Sequence, residues 1–390
     1  MSTKLPKQGF VFWPVGTGDS TTIAIREDDI TMQIDLGHMD KSNDDDDPHY
    51  PVVDELENAL SKKNGKPYLS VFVLTHPDED HIKGFGELLK KVTIGEIWLS
   101  PRIFNEYKKD LCDDAKTFKE EALRRKDISI ENDGDVDAGD RVRIIGHDEI
   151  FQEDEYKDFP EKWHTNPGNS ITTVDEEDID DIFEAFVHAP FKEDSAAERN
   201  NTSLSLHITL KNDDRTGKAF FFGDREYPTI KKIFDRTKEK ENTQYLEWDV
   251  MLTAHHCSKK VMYWKDDEDS EEKFKKDIVD DFEAYQNDDA YLIASCENDF
   301  SDEEGKNPPH QIARKRYEAI ISSGHFICTQ DHPNEDNPEP VIFELTSDGL
   351  SYKDSKEKKS PTKSSALAAA VSRARGQDEP PSEKVGFGEK

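Results

Sequence analysis

The sequence has few cysteines and does not group them. Cys112, Cys257, Cys296 and Cys328 are its only four, and no two stand at CxxC spacing. That argues against a structural zinc ribbon and fits a reducing cytoplasm as the simplest compartment. Long apolar runs are also missing. The opening MSTKLPKQGFVFW has no sustained apolar core of the kind a secretory leader carries. No run approaches the roughly 18 apolar residues of a membrane span, so no membrane partner is expected. Positive charge is scarce too: 52 Lys and Arg face 86 Asp and Glu, a formal net charge of -34. A protein that grips long duplex nucleic acid draws most of its affinity from basic contacts to phosphate. This balance disfavours that class and leaves open a small phosphate ester or nucleotide.

What is present is a series of short apolar runs punctuated by turns, within 390 residues that are 33% hydrophobic. GFVFWPV, TTIAI, TMQI, SVFVL and GEIWL read as strands. VVDELENALSKKNG has helical apolar spacing and stops at Gly65, and IKGFGELLKK reads as a helix. A charged helical segment spans 105–126. RVRIIG, DIFEAFVHAP, SLSLHITL, KAFFFGD, DVMLTA, AYLIAS, HFICTQ and VIFELT supply more strands, with helices in SEEKFKKDIVDDFEAYQ and IARKRYEAIISSG. Buried strands alternating with helices predict a layered α/β domain over 1–352. Residues 353–390 are rich in Lys, Ser, Glu and Pro and read as a disordered tail, within which ALAAAVSRAR has the composition to become helical on a protein partner. The tail is a candidate partner surface, and the charged segments at 102–126 and 265–286 are candidates for a lid or a partner surface.

The informative stretch is THPDEDH, residues 75–81, directly after SVFVL. In extended chain, residues two apart point the same way, so His76, Asp78 and Asp80 can face one cavity. A turn into the following helix swings His81 toward it. One metal could take His76 and Asp78, and a second Asp80 and His81. Imidazole with carboxylate suits Zn²⁺, Mn²⁺ or Fe²⁺. Paired metals roughly 3.5–4 Å apart are a recurring device for hydrolysing phosphate esters. The bland alternative is a solvated acidic loop. KAFFFGD places Asp224 at a strand end, where a carboxylate can bridge two metals or merely cap a turn. DVMLTAHHCS places His255 and His256 at another. Arg225 follows Asp224 and could neutralise a substrate phosphate.

The ordered set IDLG, THPDEDH, GD, HHCS resembles the metallo-β-lactamase superfamily of metal-dependent hydrolases. More closely it resembles the ComEC-type subgroup, the nuclease-like domain of competence proteins and its free-standing relatives. VGTGDSTTIAI is similar to that subgroup's V-G-Q-G-D-S/A opening, Asp35 matches its early aspartate, and NNTSLSLHI and NPPH have counterparts in order. The resemblance runs over about residues 9–350. It implies a four-layer αββα sandwich with two divalent ions, zinc or manganese, at one edge between the sheets. Carried over by position, His76 and Asp78 bind one ion and Asp80, His81 and His255 the other, with Asp224 bridging. His256 then contacts substrate or stands behind a ligand, and His310 contacts phosphate or protonates the leaving group. Asp80 would also orient, or take a proton from, the attacking water. Three positions depart from the pattern. Cys257 stands where a glycine is usual, Lys83 stands where another glycine is usual, and the third-motif histidine has no certain equivalent. Asn201 lies where the subgroup carries Asn or Asp, His188 is an upstream alternative, and His207 reads as structural. The activity implied is hydrolysis of a phosphodiester by a nuclease or nucleotide phosphodiesterase. The alternatives are a thioester or lactone hydrolase on the same fold, or a degenerate member kept for binding.

Overall fold

The computed structural model describes residues 3–353 apart from 45–46, 107–109, 148, 150, 152–155, 197–198 and 268. The proposed tail helix lies outside the described residues. Two large sheets carry the fold. The first runs, in spatial order, Gly349–Tyr352, Val341–Thr346, Gly9–Phe12, Thr21–Arg26, Ile30–Ile34, Lys66–Val73, Thr93–Leu99, Arg141–Ile145 and His164–Thr165. The second runs Phe326–Cys328, Gln286–Ala294, Trp248–Leu252, Arg215–Phe221, Ser205–Asn212, Phe183–Ala189 and Ser170–Ile171.

Side-chain alternation divides the apolar residues into three layers. Phe10, Phe12, Val71 and Val73 of the first sheet meet Ala219, Phe221, Val250 and Leu252 of the second. Their neighbours point the other way. Val11, Trp13, Phe72 and Leu74 pack with Phe85, Leu88 and Phe118 under the helices Phe85–Lys91 and Asp113–Glu131. Phe220, Phe222, Trp248 and Met251 pack with Phe234, Phe282 and Tyr317 under Tyr227–Glu239, Lys276–Ala284 and Gln311–Glu318. Strands buried on both faces read as continuous apolar runs, which is why FVFW, SVFVL and AFFF stand out in so polar a chain. Three apolar layers between four structural layers make the αββα sandwich. Among the described residues no helix is long and apolar enough to cross a membrane.

Several boundaries differ from the sequence reading. The first helix is Val52–Ala59 and ends before Gly65. Lys62–Lys63 instead folds back on Lys66–Pro67 around Asn64–Gly65, both at positive φ. An Asn-Gly pair between short extended segments is a hairpin signal, and here it outweighs the helical spacing. Where one charged helix was read over 105–126, a short helix Arg102–Asn105 ends as that segment begins and the long helix runs Asp113–Glu131. Gln311–Glu318 stops six residues before Gly324, and Lys273–Phe274 pairs with Tyr263–Trp264 ahead of Lys276–Ala284.

Four strands deliver the site. Ile30–Ile34 and Lys66–Val73 run parallel in the first sheet, and Arg215–Phe221 and Trp248–Leu252 run parallel in the second. Each ends at the same edge of the sandwich, so the loops leaving them share one space, the usual place for a site in parallel sheets. Hydrogen bonds fasten the sheets there, among them Leu204 N to the Thr75 carbonyl at 3.0 Å and Ser295 Oγ to the Gly18 carbonyl at 2.5 Å.

Candidate metal centre

Asp35 organises the centre. Its backbone takes the left-handed region at φ 54°, which aspartate tolerates better than most residues. Oδ1 accepts Thr75 N–H at 2.7 Å. Oδ2 accepts the Thr75 hydroxyl at 2.6 Å and faces His81 Nδ1 at 2.7 Å. The same hydroxyl oxygen lies 3.1 Å from His76 Nδ1. One buried carboxylate therefore fixes both imidazoles of THPDEDH with Nδ1 protonated and Nε2 turned inward. His256 is held likewise, with Nδ1 3.2 Å from the Ser295 carbonyl. Metal-ligating histidines characteristically tie one ring nitrogen to a protein acceptor and offer the other.

The turn carrying Asp80 and His81 is clasped from two sides. Asp19 N–H donates to the Asp80 carbonyl at 3.1 Å, and Leu36 N–H to the His81 carbonyl at 2.8 Å. A Cβ on Gly18 would lie 2.7 Å from the Asp80 carbonyl oxygen, so GTGDS needs its second glycine for this close approach. On the other sheet, His255, His256 and Cys257 all have positive φ, at 50°, 51° and 63°. Three consecutive L-residues in that region cost roughly 1–2 kcal/mol each, strain of the sort stored at functional sites. This turn splays the two histidines, whose ring planes lie 80° apart.

Asp224 stands between them, and its two oxygens divide the ligand set. Oδ1 lies 3.1 Å from His81 Nε2 and 3.5 Å from His256 Nε2, and His256 Nε2 is 3.2 Å from Asp80 Oδ2. Oδ2 lies 3.7 Å from His76 Nε2 and 3.8 Å from His255 Nε2, and His76 Nε2 is 3.5 Å from Asp78 Oδ2. The first half thus holds Asp80, His81 and His256, and the second His76, Asp78 and His255. The sequence reading put His255 with Asp80 and His81 and left His256 outside the ligand set. The structure places His256 there instead, and His255 on the side that lacked a third-motif histidine.

Asn201 lies on the turn Arg199–Thr202, whose Arg199 pairs with Asp78. His310 is spent on the loops behind the cluster. His310 N–H donates to the Cys257 carbonyl at 3.1 Å, and its Nδ1 accepts Lys259 N–H at 3.2 Å. It braces the strained turn from behind. Arg225 is fully buried, donating to the Ser203 carbonyl at 2.7 and 3.1 Å and pairing with Asp194 at 3.2 Å, so it holds a loop rather than facing a substrate. Cys257 packs in the outer apolar layer with Cys296 and Cys328. His188 lies between Thr237 and the Tyr245 carbonyl, and His207 bonds the Glu247 carbonyl at 2.7 Å, both away from the cluster.

Two participants escaped the list of candidate site residues. Asp19 joins His81, Asp224 and His256 in a buried group whose ligand atoms all lie within 4.8 Å of one another. Its oxygens approach the Nδ1 faces, 3.3 Å from His256 and 3.9 Å from His81, so it stands behind the rings and not among the Nε2 atoms. The signal was its place in VGTGDS. Arg199 pairs with Asp78, and nothing in its local sequence marked it.

The residues fit a divalent metal. His76 Nε2 and Asp224 Oδ1, which face the centre, are buried without a hydrogen-bond partner, a costly arrangement unless another group answers them. The field points the same way. Burial pushes His81 and His256 down, yet Asp224 with Asp35 and Asp19 holds both well above their ordinary range. A pocket that keeps buried imidazoles protonated is one that attracts a cation, and a divalent ion can take the protons' place. His255, further from the carboxylates, is pushed below its ordinary value by burial.

No family model matches the sequence, and the search of curated proteins finds no match. Among solved structures, yeast PDE1 in its unliganded form aligns at 10% identity over 82% of this chain and 97% of that one, with a TM-score of 0.41. A diphosphatase of the PhnP family aligns at 8% identity over 85% and 97%, with a TM-score of 0.35. The metallo-β-lactamase GOB-18 from Elizabethkingia meningoseptica aligns at 13% identity over 64% and 76%, with a TM-score of 0.29. These likenesses are slight, and the functional reading rests on the geometry of the centre.

Proposed function

We propose that the chain is a metal-dependent hydrolase of the metallo-β-lactamase superfamily, similar to the ComEC-type subgroup, that cleaves a phosphodiester in a nucleotide or short nucleic acid. The observation that carries this reading is the division of ligands about Asp224, with imidazole and carboxylate on each of its oxygens. His81, His256 and Asp80 would hold one divalent ion, and His76, Asp78 and His255 the other. Bound there, zinc or manganese would lower the pKa of a water toward neutrality and draw charge from the phosphoryl oxygens. The chain's own part is to hold that geometry. Asp35 and Thr75 lock His76 and His81, and the Ser295 carbonyl locks His256, with the Asp19 carboxylate close behind the ring. Asp80, with a side chain 39% exposed, faces the mouth and is placed to orient the attacking water and receive its proton. The -34 charge favours a small or short substrate over long duplex.

The test is a panel of bis-p-nitrophenyl phosphate, cyclic nucleotides, oligonucleotides, thioesters and lactones, run with added Mn²⁺ or Zn²⁺. Phosphodiester turnover is expected, falling at least a hundredfold in Asp80→Asn while the melting temperature holds. Turnover confined to thioesters or lactones would move the substrate class. Silence on every member would favour a binding protein on this fold.

A further inference from the structure

The two halves of the centre differ in one respect that ligand chemistry does not require. On the second half a protein cation already sits on a ligand: Arg199 Nη1 pairs with Asp78 Oδ1. The guanidinium is held from its far side. Its Nη2 donates to Glu106 Oε2 at 3.1 Å and to the Asp110 carbonyl at 3.2 Å. Glu106 is itself fixed, with Oε1 accepting Arg102 Nε–H at 2.6 Å and a side chain only 8% exposed. A buried carboxylate bridging two arginines is a built support. The neighbouring turn is anchored as well, through Ser203 N–H to the Asn200 carbonyl and Leu204 N–H to the Thr75 carbonyl. Among the described residues, no Lys or Arg side chain makes an ion pair with Asp80, Asp224 or Asp19.

We infer that Arg199 is a built-in counter-cation that competes with the metal at the His76, Asp78 and His255 half, so the centre loads unequally. This rests on the metal reading above. Arginine cannot shed its proton to make way for the ion. Arg199 holds Asp78 through Oδ1 while Oδ2 faces His76, so a metal taking Oδ2 would leave that pair in place and lie close to a fixed positive charge in a partly buried site, where like charges repel strongly. The half built from Asp80, His81 and His256 holds no fixed cation of this kind, since the protons on its imidazoles can leave as a metal binds. One ion therefore binds tightly and the other only in excess metal.

Calorimetric titration of metal-stripped full-length protein with Mn²⁺ tests this in wild type, Arg199→Gln and Arg199→Lys. Wild type is expected to show two phases, the second at least tenfold weaker. In Arg199→Gln the second phase should tighten tenfold or more while the first stays fixed, and the unchanged first phase reports that the centre is folded. Arg199→Lys should fall between. Two phases of unaltered affinity in Arg199→Gln overturn the role of Arg199 and leave the metal reading standing. A first phase that weakens with the second also overturns it, because Arg199 would then be a general support. No binding by any of the three overturns the metal reading, and this inference with it.

Discussion

Two sets of histidines share the sandwich, and they are used in opposite ways. His188 and His207 are embedded in the second sheet, and both nitrogens of each find protein partners: Thr237 and the Tyr245 carbonyl for His188, the Glu247 carbonyl and Thr209 for His207. Burial pushes His188 down to about 3, with His207 adding to it, and pushes His207 down to about 4. They are neutral struts. His76, His81 and His256 are just as buried, yet each ties Nδ1 to the surrounding protein and turns Nε2 into one cluster of carboxylates and imidazoles about Asp224, where His81 and His256 Nε2 lie 3.3 Å apart. The lesson is that burial does not separate a structural histidine from a candidate ligand. What separates them is what the second nitrogen meets: a lone hydroxyl or backbone carbonyl for His188 and His207, a shared cluster of carboxylates and imidazoles for the other three.

The largest way to break this contrast is to remove what orients the converging set. Asp35→Asn keeps the shape and the tolerance of positive φ but loses the charge shared by Thr75 and His81. Loss of such a supporting group weakens metal binding by about 10–100-fold. Both phases of a Mn²⁺ titration should weaken together, unlike the selective effect expected of Arg199→Gln. An effect on one phase alone would mean that His76 is held independently of Asp35.

A smaller effect sharpens the other side. In the unfolded chain a histidine takes up a proton near pH 6.5, whereas folded His188 and His207 resist until about 3 and 4. Between those limits the unfolded state binds more protons, so stability rises with pH and is lost as pH falls below about 6.5. At about 1.4 kcal/mol per unit, the loss by pH 5 is roughly 2 kcal/mol for each. Urea unfolding of wild type and His188→Gln across pH 5–7.5 measures it. The variant should show a shallower slope, and equal slopes would mean that His188 titrates alike folded and unfolded.

Much of the centre was legible before the structure, because its ligands sit at strand ends inside short, dense motifs. SVFVL followed by THPDEDH, and AFFF followed by GD, pair a buried strand with polar groups that have no local structural use. The layering was legible from the same runs. What escaped depends on geometry that sequence spacing does not carry. Which of His255 and His256 faces which oxygen of Asp224 follows from three left-handed residues in a row, and only Cys257's place at a usual glycine hinted at that turn. Arg199 reaches Asp78 from 121 residues away and is steered by Glu106, so no local pattern announces it. His310 and Arg225 were plausible as charged or polar groups beside motifs. The structure instead spends their donors and acceptors on the backbone of the neighbouring loops and, for Arg225, on Asp194.

The most direct test of the account is metal content by mass spectrometry in wild type, His256→Ala and His255→Ala, after loading with Mn²⁺ or Zn²⁺ and then desalting. Wild type should take two ions in excess metal and keep one through desalting. His256→Ala should lose the retained ion, and His255→Ala should keep it while failing to take the second. No ion in wild type, or equal losses in the two variants, would contradict a centre divided about Asp224.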